Sequence, residues 1–180
     1  MYPLQVITAF DDYLSQQCLK FSAIIVGGCA LSLLGIITRE TQDVDVLDPN
    51  IPQEILKLSY NFANDWNSKN QDTLKVKWLN NGPVTLQRDL PKKWRERIEP
   101  LFIGKSLSLY TLHRSDLLLS KLFAYCDRGT DRGDCIRLCP SHEELIQAFD
   151  WIKKLDGNSL WPSHVEAMFK ELAKELGYEL

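Results

Sequence analysis

The stretch Phe21 to Asp48, FSAIIVGGCALSLLGIITRETQDVDVLD, constrains the fold more than any other part of the chain. Ser22 to Val26 is a short apolar run rich in β-branched residues, Gly27-Gly28 breaks it, and Cys29 to Ile37 has the composition of a helix. A second strand follows quickly. In Asp43-Val44-Asp45-Val46 the strand period of two sends both carboxylates to one face and both valines to the other, so one face is core and the other carries charge.

Two carboxylates on one face of a strand repel each other, and a shared cation relieves that. Magnesium fits: it is a hard ion that takes oxygen ligands and is commonly held by one or two carboxylates together with substrate phosphates. The glycine pair supplies the other half, because a strand that runs through glycines into a helix leaves backbone N–H groups open to a phosphate. Together they predict a nucleoside triphosphate, its phosphates on Gly27 and Gly28 and its Mg2+ on Asp43 and Asp45. The competing reading is a glycine turn in an ordinary α/β protein with two solvated aspartates on an edge strand. Asp48 belongs to that second class, since it faces the other way and Asp48-Pro49-Asn50 reads as a turn.

Gly27-Gly28 followed by Arg39-x-Thr41-x-Asp43-x-Asp45 resembles the signature of the nucleotidyltransferase superfamily of DNA polymerase β-like fold. Fourteen residues separate Gly28 from Asp43, at the long edge of the usual range. The resemblance implies an α+β fold, a small mixed sheet flanked by helices and followed by a helical C-terminal region. It also implies that Gly27, Gly28, Arg39 and Thr41 line the substrate and that Asp43 and Asp45 are catalytic, metal-binding residues.

Composition narrows the classes. At 180 residues, 44% hydrophobic and 25% charged, the chain can bury a core without disulfides or metal staples. No apolar run approaches a membrane span and the N-terminus lacks a signal-peptide pattern, so a cytoplasmic protein with no membrane partner is expected. A net charge of −3 argues against a dedicated nucleic-acid coat, though Arg88 to Lys105 is locally basic around Trp94. That segment reads as a solvated helix or loop face, with an RNA contact as the alternative. Five cysteines, an odd number, read as free thiols and not as a disulfide framework. Cys126, Cys135, Cys139 and His142 have the donors for zinc but lack a Cys-x-x-Cys spacing, so packed thiols are expected there.

Elsewhere the first half reads as support. Pro3 to Gln17 and Pro52 to Lys69 carry helical apolar stripes, and Leu74 to Leu79 and Ser106 to Leu112 read as strands, the first ended by the turn Asn80-Asn81-Gly82-Pro83. Neither strand offers a mid-strand acid as a third metal ligand. Residues 1–112 are therefore expected to form the nucleotidyltransferase core, and 113–180 a helical subdomain contributing to the same cleft.

In that second part Ser115 is the expected N-cap of a helix to Arg128, and Lys121 and Arg128, seven apart, return to nearly one face. This helix, with Asp131-x-x-Asp134 after it, resembles stand-alone bacterial nucleotidyltransferases related to the AbiEii toxin of type IV toxin-antitoxin systems. By that resemblance Lys121 binds triphosphate, Arg128 assists it, and Asp131 completes the acidic site with Asp134 in reserve. A salt-bridge network at a helix junction is the plain alternative. Ser141-x-x-Glu144 is a capping box, Pro162 and Ser163 open a last helix, and His113, His142 and His164 sit at element starts as caps or surface residues.

The reaction implied is transfer of a nucleoside monophosphate from a nucleoside triphosphate to an acceptor hydroxyl. A toxin-like relative would use a tRNA or a protein acceptor and be paired with an antitoxin protein. The other class is a nucleotide-binding or protein-interaction module that keeps the fold without turnover.

Overall fold

Apolar alternation and glycine placement organise the first half into a sheet. The computed structural model describes residues 2–70, 73–82 and 84–179. Two compact units emerge, one made of the chain to Arg88 together with Lys93–His113, the other of Asp89–Lys92 together with the chain from Arg114 onward.

The first unit holds helices α1 (Pro3–Gln16), α2 (Gly27–Leu33), α3 (Gln53–Lys69) and the single turn α4 (Leu86–Asp89). Its strands are β1 (Phe21–Val26), β2 (Val44–Asp48), β3 (Leu79–Asn81), β4 (Glu99–Ile103) and β5 (Leu107–Thr111). They form a five-stranded mixed sheet in the order β3-β2-β1-β5-β4. The chain is thus α+β, with β1 antiparallel to β2 but parallel to β5, and β2 parallel to β3. On one face Ala23, Ile25, Val44, Val46, Leu107 and Leu109 meet α1 and α3 in a single core. Phe10, Phe62 and Trp78 lie at its centre, with ring centroids 5.1–5.7 Å apart, and the Trp78 indole N–H donates to the Ser59 carbonyl at 3.1 Å.

Four sequence expectations change here. Leu74 to Leu79 is not a strand: Lys75, Val76 and Lys77 are exposed, and Asn67 of α3 bonds both backbone groups of Leu74 (2.6 and 2.8 Å), standing in for a neighbouring strand. The strand is instead Leu79–Asn81, so Asn80 and Asn81 are ladder residues and not a turn; Pro83 lies outside the described residues. The basic segment also contains β4, which takes the sheet edge, where Pro100 is tolerated. Trp94 in that segment is buried, donates to the Gln87 carbonyl at 3.2 Å and carries Arg95 over its ring at 4.3 Å, so it is a packing residue. Helix α2 starts on the glycines themselves and ends early, at Leu33, just before Gly35 at φ 72°.

Asp11 ties α1 to the turn between β4 and β5. Its buried carboxylate accepts N–H bonds from Lys105 (2.9 Å), Ser106 (2.7 Å) and Leu107 (2.7 Å), and Gly104 lies so close that a side chain there would strike it. Burial by itself would raise this carboxyl; the three backbone donors and Lys105 outweigh it and hold the group below its ordinary value of 3.8.

The second unit is helical: α5 (Arg114–Arg128), α6 (Arg132–Arg137), α7 (His142–Ile152) and α8 (Trp161–Leu176). Helix α5 begins at Arg114, one residue ahead of the expected cap Ser115, and Arg114 bonds the Leu138 carbonyl at 2.6 Å and the Glu144 carboxylate. Ser141 and Glu144 form the reciprocal capping box at α7, and α8 ends on Gly177 at φ 81°. Cys126 and Cys135 are buried, Cys139 is exposed, and burial pushes both buried thiols up to about 12, so they are neutral packing groups. No helix among the described residues is long and apolar enough to cross a membrane.

A depressed native carboxyl stabilises above its unfolded value and loses that contribution as pH falls through the native one. Asp11→Asn should therefore cost about 1.5–3 kcal/mol at neutral pH. Chemical denaturation of both proteins from pH 7 down to 2.5 should show the difference shrinking below about pH 4; a pH-independent difference would remove the carboxylate from this role.

Candidate functional site

The end of β1 carries the glycine turn. Val26 is the N-cap of α2 and has no side-chain oxygen, so the first N–H groups of that helix receive no side-chain cap. Gly27 has φ 78°, a left-handed conformation that favours glycine. Register places Asp45 of β2 directly opposite Val26, and a Cβ on Gly27 would stand 2.7 Å from Asp45 Oδ2. The carboxylate therefore lies against the turn, in space that only a glycine leaves open. Gly28 is flanked by the residues ahead of β2: its Cβ would meet the Thr41 methyl at 3.2 Å and the Arg39 guanidinium at 3.5 Å. Gly82, just past β3, passes beneath Asp45, and a Cβ there would be 2.8 Å from that of Asp45.

Asp43 is half-buried and lies just before β2, which starts at Val44 and not at Asp43 as the strand pattern suggested. The charge of both acids is felt by one neighbour. Burial first, then the Asp45 and Asp43 carboxylates, push the Cys29 thiol up to about 12. Cys29 is thus a neutral thiol, unfit as a nucleophile or soft metal ligand at neutral pH.

The second unit contains a charged cluster. Lys121, whose side chain is only 7% exposed, places its ammonium 2.6 Å from Asp131 and 2.7 Å from Asp134. Arg128 reaches Asp131 at 3.2 Å, so Lys121 and Arg128 do converge, and they converge on a carboxylate. Burial opposes ionising Asp131, but Lys121, with Thr130 and Arg128, prevails and holds it below its ordinary range. Asp131 itself is left-handed at φ 62° as it opens α6.

The family model of nucleotidyltransferases of unknown function (DUF6036) matches residues 4–156, most of the chain and everything described so far except α8. The chain belongs to this nucleotidyltransferase family. No curated protein matches it. An antigenic nucleotidyltransferase-like protein from Paracoccidioides brasiliensis, known from a crystal structure, is similar at 13% identity over 99% of this chain and 94% of that one, with a TM-score of 0.49.

In this member of the nucleotidyltransferase family, then, Gly27, Gly28, Arg39, Thr41, Asp43 and Asp45 gather in the first unit, and Lys121, Arg128 and Asp131 form their own group in the second. The first set has the chemistry a magnesium–triphosphate needs: hard oxygen donors beside helix-opening N–H groups that receive no side-chain cap, with a guanidinium beside Gly28. No group of three or more His, Cys, Asp or Glu converges among the described residues, so any ion held here would draw its remaining ligands from phosphate, water or a neutral side chain. The sequence reading missed Gly82, because Pro83 and two asparagines beside it suggested an ordinary turn. Its signal was glycine at the end of an otherwise unbroken strand, where close backbone approach is a standard cause.

Two variants test these placements. Gly27→Ala should cost about 1–2 kcal/mol for the left-handed backbone and displace the Asp45 carboxylate, with thermal melting reporting the first and loss of nucleotide-induced stabilisation the second. Lys121→Met leaves the buried Asp134 carboxylate and the partly buried Asp131 carboxylate without their shared ammonium, so a loss of about 3–5 kcal/mol is expected. An unchanged melting temperature for Lys121→Met would show that the cluster does not hold the second unit together.

Proposed function

We propose that this protein transfers a nucleoside monophosphate from a nucleoside triphosphate to an acceptor hydroxyl, with a divalent cation at Asp43 and Asp45. The placement of the Asp45 carboxylate against Gly27 carries this reading, because it sets a cation ligand and a phosphate cradle side by side. Backbone N–H groups at Gly27 and Gly28 would hold the phosphates, and Arg39 would answer their charge from above the turn. Thr41, packed on Gly28, would keep that approach narrow. Magnesium bound there supplies charge neutralisation and orients the triphosphate. In the step itself the acceptor oxygen bonds to the α-phosphorus and the bond to the bridging oxygen breaks. Pyrophosphate leaves with the electron pair, and the hydroxyl proton goes to solvent.

The acceptor class rests on the resemblance to AbiEii-related proteins: an RNA hydroxyl, with tRNA the first choice, or a protein side chain, and an antitoxin protein as partner. The triphosphate-binding and acidic-site roles which that resemblance implies for Lys121, Arg128 and Asp131 are not needed by this reading, since the three already answer one another's charge.

Thermal melting with each nucleoside triphosphate, with and without Mg2+, should show stabilisation only when both are present. A ligand at a hundred times its Kd contributes about 2.7 kcal/mol. Incubation with labelled nucleotide and cellular RNA or protein should then label one of them, and Asp45→Asn should reduce labelling by at least about a hundredfold, the scale of losing a principal charge-stabilising group. Stabilisation without any labelling would select the nucleotide-binding module instead, and stabilisation by no nucleotide would overturn both.

A further inference from the structure

We propose that Asn80 is a neutral third oxygen donor at the Asp43–Asp45 cation site, and that the site is therefore built for one divalent ion and not two. This rests on the function proposed above and adds a residue to it. Strands β2 and β3 are parallel, with Val44, Asp45 and Val46 paired in register to Leu79, Asn80 and Asn81. Residues in register on neighbouring parallel strands lie about 4.8 Å apart and project to the same face. The flanking residues fix which face that is: Leu79 is buried in the same core as Val44, and Asn81 turns its amide to the Ile51 N–H at 2.9 Å. Asn80, half-buried, therefore stands beside Asp45 on the face away from the core. Two residues on, the chain passes so close under Asp45 that position 82 has room for no side chain. Asn80 is thus the side chain that β3 contributes next to Asp45.

The chemistry follows from its being an amide. An asparagine carbonyl oxygen is a hard donor of the kind magnesium, manganese and calcium accept, yet it brings no charge. Two carboxylates match the charge of one divalent ion. A third acid at position 80 would leave a surplus negative charge and favour a second cation; the amide supplies a ligand and leaves the balance intact.

The test uses Mn2+ alone, followed by the loss of its free electron paramagnetic resonance signal, on the full chain and on Asn80→Asp, Asn80→Leu, Asn80→Ala and Asp45→Asn, each checked for folding by circular dichroism. The wild type should take up one Mn2+ per chain. Asn80→Asp should bind about tenfold or more tightly, because it adds a unit charge within a few ångströms of the ion. Asn80→Leu and Asn80→Ala should bind several-fold more weakly, and these two decide the matter if the aspartate variant does not fold. Wild-type affinity in every position-80 variant, with binding lost in Asp45→Asn, would overturn the role of Asn80 and leave the proposed function standing. Wild-type affinity in Asp45→Asn as well would bring down the cation site itself.

Discussion

The antiparallel pairing of β1 with β2 is the constraint on which the candidate site depends. It puts Asp45 opposite the last residue of β1, so that the chain must turn into α2 right beside a carboxylate. Only a residue without Cβ, in a left-handed conformation, fits there, and Gly27 meets both conditions. The pairing is driven from the opposite face, where Ile25, Val44 and Val46 are buried against α1 and α3. Hydrophobic burial on one side of the sheet thereby holds two acids, a glycine turn and a guanidinium together on the other.

Such an arrangement carries a cost. Asp43 and Asp45 are like charges close enough to share an influence on Cys29. Asp11 is bonded by three backbone N–H groups, and Asp131 and Asp134 are paired with Lys121. Those carboxylates act as rivets, since an acceptor bonded to several fixed donors orders the segments that supply them.

Family membership makes the chain a nucleotidyltransferase relative, and its own residues supply the proposed chemistry with a physical form. The narrow space between Gly27, Gly82 and Asp45 admits backbone and carboxylate but no further side chain. The overall net charge of −3 offers no broad attraction to nucleic acid, so an RNA acceptor would have to be recognised locally.

Much of this was legible in the sequence because it depends on local chemistry. Alternation of valine and aspartate, glycines after a β-branched run, Ser141 with Glu144, and the apolar stripes of α1, α3 and α8 each follow from a period or a cap that acts within a few residues. The strand at Leu74 failed for the opposite reason: its alternation was real, but Asn67 took the backbone groups a neighbouring strand would have used. Likewise two cations on one helix face were visible at Lys121 and Arg128, while the carboxylates that claim them depend on how α6 returns beside α5. Asn80 reads as a turn residue in the chain and stands beside Asp45 in the sheet. Sequence by itself determined which residues could bear charge on which face of an element. Strand order and register decided which of those charges meet, because they join residues far apart in the chain, and no local period encodes that.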